Sequence, residues 1–168
     1  MEKKKKLKVA VISDTHGVLR EAVLKILENC DYILHAGDFD NYDTWRKLDR
    51  LGVLCAVCGN NDKYWNTELP LKRQFTIGDF RFFMVHNRKD VPAKLDNTDF
   101  VIFGHSHRYF CQEEGGRIWL NPGSCGRARF GGNLSMVILE LEGREYRIQK
   151  IPLDFGGSVD SVDSSILK

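Results

Sequence analysis

The stretch LKVAVISDTHG (residues 7–17) decides the fold. Residues 7–13 are an apolar, β-branched-rich run that reads as a short strand, and DTHG breaks it. From there Val18–Asn29 predicts a helix, with Leu19, Val23, Ile26 and Leu27 on one face. YILHAG (32–37) is the next strand, and residues 41–52 predict a second helix carrying Trp45 and Leu48, with Gly52 as its stop signal. VLCAVC (53–58) is the third strand. A β-α-β-α-β order calls for a parallel sheet with crossover helices.

The pattern then changes. Residues 71–86 predict two strands joined at Gly78-Asp79, a hairpin signal. A short VPAKLD segment leads to the strand DFVIFG and a hairpin around EEGG (113–116). Beyond NPGS (121–124), NLSMVILELEG and REYRIQKI predict another hairpin, turning at Gly143. The expected fold class is therefore α/β: a layered α/β/β/α sandwich of two mixed sheets flanked by helices. A single domain over 1–168 is expected, with residues 1–6 as a basic tail and 156–168 as a loose one.

Charge and composition bound the function. The chain carries a net +2, but residues 1–8 hold five lysines and one glutamate, leaving −2 for the remainder. A near-neutral body gives no electrostatic case for a specific nucleic-acid partner. No apolar run approaches the roughly 20 residues that cross a bilayer, and VAVIS is too short for a signal peptide. Cys30, Cys55, Cys58, Cys111 and Cys125 are an odd, scattered set that fits reduced thiols and a cytoplasmic location. Cys55 and Cys58 spell C-x-x-C, but in a strand their odd separation sends them to opposite faces, so both read as small core residues.

The polar residues fall at the strand ends. VAVIS delivers Asp14 and His16, YILHAG delivers Asp38, VLCAVCG delivers Asn60, FRFFMV delivers His86, and FVIFG delivers His105 and His107. In parallel α/β sheets, sites form beyond the carboxyl ends of strands. Asp14, Asp38 and Asn60 are spaced 24 and then 22 residues apart, about one strand-helix repeat each, so they return to one edge. Any one alone is better read as a turn former or cap; the coincidence of all of them is the signal. Carboxylates and imidazoles gathered without a cation would repel and be poorly solvated. Imidazole, carboxylate and amide oxygen donors suit Mn, Fe, Zn, Co or Ni, and the absence of cysteine argues against a structural zinc site. Seven donors exceed one ion with an open position; they suit two ions about 3.5–4 Å apart sharing a carboxylate.

In this order, SDTHG, GD, GNND, VH and GHSH resemble the motifs of the calcineurin-like metallophosphoesterase superfamily. The short length and NPGS resemble its small YfcE-type phosphodiesterase branch. The resemblance implies that Asp14, His16, Asp38 and His107 hold one divalent ion, and that Asp38 bridges to a second held by Asn60, His86 and His105. It implies manganese first, with Ni, Fe, Zn or Co as alternatives. It further implies hydrolysis of a small phosphodiester substrate by metal-bound hydroxide, with Asp38, Asn60 and His86 acting through the metal centre. No membrane partner is implied, and a homo-oligomer is left open. Two positions depart from the pattern. Asn61 stands where many relatives carry a proton-donating histidine, and Asn87 stands where a glycine is common after His86. The alternative is an interaction scaffold, as in the retromer subunit of this fold; its mark would be ligand loss, and all seven positions are retained.

The remaining residues near the motifs carry weaker readings. His35 is expected to hydrogen-bond behind the site or in the core rather than to bind metal. Asp62 is expected to orient Asn60 or a histidine or to hold its turn, and Asp40 to cap the second helix. Arg88, Lys89, Arg108, Arg127 and Arg129 could attract a phosphate. Tyr64 and Trp65 could stack an aromatic group, although packing is the commoner fate of such residues.

Overall fold

The computed structural model describes residues 3–65, 68–128 and 132–153. Its strands are β1 (Leu7–Ile12), β2 (Tyr32–His35), β3 (Leu54–Ala56), β4 (Lys72–Ile77), β5 (Phe80–Val85), β6 (Phe100–Ile102), β7 (Tyr109–Glu114), β8 (Arg117–Pro122), β9 (Leu134–Glu142) and β10 (Glu145–Leu153). The helices are α1 (Glu21–Leu27) and α2 (Tyr42–Leu51), with a short 3-10 turn at Arg88–Asp90. Two mixed five-stranded sheets result, ordered β10-β9-β1-β2-β3 and β4-β5-β6-β8-β7. Within them β1, β2 and β3 are parallel, as are β5, β6 and β8; the outer strands pair antiparallel.

Strand periodicity builds three layers of core. Val9 and Val11 of β1 face the second sheet, where they join Phe80, Phe82, Met84, Phe100 and Ile102. The alternate residues Ala10 and Ile12 face Val23, Leu27 and Leu48 of the two helices. A strand buried on both faces reads as a continuous apolar run, which is why VAVI is recognisable as a central strand. Both helices lie on the outer face of the first sheet. On the outer face of the second, among the described residues, Phe83, Val101, Phe110 and Trp119 of the sheet pack with Val91, Leu95 and Phe103 of its loops.

Helix α1 is shorter than the expected 18–29 span, because Arg20 is extended (φ −76°, ψ 141°) and supplies no side-chain cap. At α2 the capping residue is Asn41 rather than the expected Asp40: the Asn41 Oδ1 accepts from the Thr44 N–H at 2.9 Å and the Thr44 hydroxyl at 2.8 Å. Lys3–Lys6 are solvent-exposed as expected of a tail, yet Lys4 pairs with Asp79 (2.7 Å) and Lys6 with Glu140 (2.6 Å). The expected loose segment 156–168 lies outside the described residues, as does Arg129. All five cysteines are free. Among the described residues no helix is long and apolar enough to cross a membrane.

Candidate metal centre

The parallel strands of both sheets end on one edge, and the loops that leave them are laced together. The loop after β1 runs alongside the loop after β2: Asp14 N–H donates to Gly37 O (3.0 Å), His16 N–H to Asp38 O (3.0 Å) and Gly17 N–H to Phe39 O (2.9 Å). The loop after β6 is tied to β5 by Gly104 N–H to His86 O at 2.9 Å. Ser124, in the expected NPGS loop, donates its hydroxyl to Asp14 O at 2.8 Å. These ties turn the backbone sharply. Among the described residues seven non-glycine positions have positive φ, and six of them are Asp14, His16, Asp38, Asp40, His105 and His107. Left-handed backbone costs on the order of 1–3 kcal/mol at such residues and concentrates at functional sites.

Close approach to the backbone also dictates glycine. A Cβ on Gly104 would overlap the Ser13 hydroxyl and the Asp14 carboxylate, and one on Gly59 would overlap the Asp38 carboxylate. Both glycines admit an acidic side chain directly against the main chain.

Five of the seven expected ligands converge. Asp14 Oδ1 lies 3.3 Å from His107 Nε2, 3.7 Å from His16 Nε2 and 3.9 Å from His86 Nε2. Asp38 Oδ2 lies 3.3 Å from His86 Nε2 and 3.7 Å from His16 Nε2. Two groups with metal-ligand spacing emerge, Asp14–His16–His107 and Asp14–Asp38–His86, so Asp14 is common to both. His105 is not a member of either group. The His105 ring meets the His86 ring edge-on at 5.2 Å, and the backbone N–H of His105 donates to Asp14 Oδ2 at 3.1 Å. Asn60 is exposed and lines a cavity together with His86.

The orientation of the imidazoles is fixed from behind. His16 Nδ1 contacts the Asp40 carboxylate at 2.9 Å, His86 Nδ1 the Ala36 carbonyl at 2.7 Å, and His107 Nδ1 the Arg127 carbonyl at 3.3 Å. Each partner is an acceptor, so each Nδ1 carries the proton and, in the neutral ring, each Nε2 presents a lone pair. His16 Nε2 and His107 Nε2 then face each other at 3.1 Å, alongside two carboxylates. Asp14 Oδ1 and His86 Nε2 are buried without a hydrogen-bond partner. A centre made only of acceptors is unstable unless protons or a cation fill it. A divalent cation fits this donor set in charge, ligand type and closeness.

The carboxylates and imidazoles of the centre shift one another's proton affinities. Burial works to raise the Asp14 pKa, but contacts with His107 and His16 and the charge of His86 outweigh it, leaving the carboxyl well below its usual range. Burial likewise opposes ionisation of Asp38, and His86 more than offsets it. The Asp14 carboxylate, against a desolvation penalty and with help from Asp40, pushes His16 up to about 9. His86 is raised despite its burial by Asp38 and Asp14. Metal uptake would displace these protons.

The residues flanking the centre sort clearly. His35 is fully buried, accepts the Gly37 N–H on Nδ1 (3.0 Å) and meets the Thr15 hydroxyl through Nε2 (3.0 Å). It stacks on Phe39 at 3.6 Å, and burial lowers its pKa, so it supports the loop as a neutral ring. Asp62, also fully buried, accepts from the backbone N–H of Asp38 (2.8 Å), Phe39 (2.9 Å), Asp40 (3.0 Å) and Gly59 (2.9 Å), and from the Trp65 indole (2.9 Å). It therefore holds the turn of Asp38 as well as its own. Trp65 is committed to this bond and to an edge contact with Phe39 at 5.9 Å, whereas Tyr64 is 94% exposed. Asp40, expected as a helix cap, is the residue that sequence reasoning missed; its place two residues after Asp38 is the only local hint, since its partner His16 is 24 residues away.

Known proteins point the same way. A family model of the calcineurin-like phosphoesterase superfamily domain matches residues 7–144. A probable metallophosphoesterase of Methanothermobacter thermautotrophicus is 31% identical over 153 residues, covering 82% of this chain and 87% of that protein. A phosphodiesterase of Methanocaldococcus jannaschii is 29% identical over 163 residues, covering 84% of this chain and 97% of its own. Among solved structures, Vacuolar Protein Sorting 29 of Cryptosporidium parvum superposes with a TM-score of 0.82 over 96% of this chain and 98% of its own; at 20% identity it shares the fold. The chain belongs to the calcineurin-like phosphoesterase superfamily.

Proposed function

We propose that this protein is a metal-dependent phosphodiesterase whose centre takes two divalent ions, manganese first, with nickel, iron, zinc or cobalt as alternatives. The observation that carries the reading is the convergence of three Nε2 atoms and two carboxylates on buried atoms that have no partner of their own. Asp14, His16, Asp38 and His107 would hold one ion, and Asp38 would bridge to a second held also by Asn60, His86 and His105. Bound ions of this kind lower the pKa of water and neutralise charge on phosphoryl oxygens.

The rest of the arrangement is done by the chain itself. Asp40 and the Ala36 and Arg127 carbonyls hold three imidazoles in the tautomer that presents Nε2. Both carboxylates reach across both histidine groups, so either can span the pair. Asn61 donates its backbone N–H to Asp38 Oδ1 at 2.9 Å, and its side-chain nitrogen lies 3.5 Å from His16 Nδ1. An amide there can donate a hydrogen bond to a substrate oxygen but cannot deliver a proton as an acid. This favours diesters with good leaving groups over unactivated monoesters.

The retained donor set supports an enzyme over a scaffold, and the five free thiols agree with a reducing, cytoplasmic setting. The test is hydrolysis of bis(p-nitrophenyl) phosphate by protein reconstituted with each divalent ion, with and without chelator. Metal-dependent, chelator-sensitive turnover is expected; inert protein with every ion would refute the reading.

A further inference from the structure

Two cavities flank the segment His86–Asn87, and Asn87 lines both. The cavity on the Asn60 side has a volume of about 420 Å³, and its charged residues are Lys63, Lys72 and Asp90. The cavity on the His105 side is about 710 Å³ and differs in kind. Arg88, Lys89 and Arg108 line it together with Phe103, Tyr109 and Phe110, and among the described residues no carboxylate does. Its size falls within the roughly 300–1,000 Å³ of small-molecule sites.

Arg88 gives this cavity a fixed flat wall. Its guanidinium carbon lies 4.9 Å from the ring centres of Phe110 and Trp119 and 5.5 Å from that of Phe103. It pairs with Glu114 at 3.3 Å, yet its side chain stays 40% exposed. A planar cation immobilised on aromatic rings is a platform on which another planar ring stacks. The exposed Lys89 and Arg108 have no ion pair among the described residues and supply positive charge beside it.

We propose that the His105-side cavity is the subsite for one arm of the phosphodiester substrate, and that this arm carries a planar aromatic ring and a further negative charge, as a nucleotide does. The assignment rests on the phosphodiesterase reading, which places the scissile phosphate at the centre between the two cavities. One ester arm then extends to each side of His86–Asn87. An uncharged arm would leave Lys89 and Arg108 unmatched, and an acyclic one would leave the Arg88 face unused. The near-neutral body of the chain favours a small nucleotide-type diester over a nucleic acid polymer.

Equilibrium binding of adenosine monophosphate, adenosine and inorganic phosphate to chelator-treated full-length protein tests this without requiring turnover. The monophosphate is expected to bind about tenfold or more tighter than either fragment. Lys89→Ala, and more so Lys89→Ala with Arg108→Ala, should weaken it by about tenfold, whereas Lys47→Ala with Arg50→Ala, removing equal charge from α2, should keep it within about twofold. A melting temperature equal to wild type confirms folding of each variant. Monophosphate binding no tighter than phosphate, or equal losses in both double variants, would overturn the subsite. So would a long single strand that binds far more tightly and loses its affinity steeply with salt. Failure of bis(p-nitrophenyl) phosphate turnover alongside intact monophosphate binding would instead refute the enzyme reading and leave a nucleotide site.

Discussion

Asp40 holds the imidazole of His16 through both carboxylate oxygens, at 2.9 and 3.0 Å from Nδ1, although neither residue is near the other in sequence. The contact fixes the tautomer that turns Nε2 toward Asp14 and Asp38. Asn accepts the positive φ of 78° at this position, so Asp40→Asn removes the charge while leaving the turn in place. Metal affinity is expected to fall about 10- to 100-fold with little change in melting temperature. Titration with manganese and a thermal melt read the two quantities separately; unchanged affinity would show that His16 needs no support.

Asp62 accepts five hydrogen bonds in a fully buried position, three on Oδ1 and two on Oδ2. In Asp62→Asn one oxygen becomes an amide, and at least two N–H donors then face another donor. Each unsatisfied buried donor costs on the order of 1–3 kcal/mol, so a loss of about 3 kcal/mol is expected. For a chain of this size that lowers the melting temperature by roughly 6–12 °C. A shift within about 2 °C would mean the loops after β2 and β3 are held by other contacts.

Asn61→His restores a group able to donate a proton beside the centre. Hydrolysis of a diester with a poor, alkyl leaving group is expected to rise by about tenfold or more, while a p-nitrophenyl diester, whose leaving group needs no proton, changes little. Steady-state rates on the two substrates decide it: an equal change in both would show that the proton on the leaving oxygen does not limit the reaction.

Asp99 forms a two-pronged pair with Arg144 at 2.9 and 3.1 Å and also accepts the Arg81 N–H at 2.8 Å. The Arg144 hydrogen bonds outweigh partial desolvation and hold its pKa below the ordinary carboxylate value. Because the folded-state pKa is depressed, the stabilisation is present above the unfolded pKa of about 3.9 and is lost as pH falls through the folded value. Arg144 is 62% exposed, so solvent screening limits the effect. Asp99→Asn should destabilise by no more than about 1 kcal/mol at pH 7, and the difference should shrink once pH falls below the unfolded value of about 3.9. Denaturant melts at pH 7 and below that value measure it; a constant difference would assign the effect to packing.

The framework was legible because β1, β5, β6 and β9 bury residues on both faces and so stand out as apolar runs. The ends of those runs exposed the candidate ligands for the same reason: a polar residue immediately after such a strand is conspicuous. Roles that depend on contact between loops were not legible. Asp40 stands beside an Asn-initiated helix and resembles a cap, and its turn toward His16 exists only once β1 and β2 lie side by side. Asp62 looks like a turn residue because three of its five donors, Asp38, Phe39 and Asp40, belong to the loop after β2, more than 20 residues away. The aromatic setting of Arg88 draws on Phe103 after β6, Phe110 of β7 and Trp119 of β8, all 15 or more residues away in sequence.

The central claim is that the tips of five strands chelate a pair of cations. Anomalous diffraction from crystals grown with manganese tests it most directly. Two peaks are expected, one between Asp14, His16, Asp38 and His107 and one between Asp38, Asn60, His86 and His105, about 3.5–4 Å apart. A single peak would contradict the dinuclear centre, and no peak there would contradict the metal centre itself.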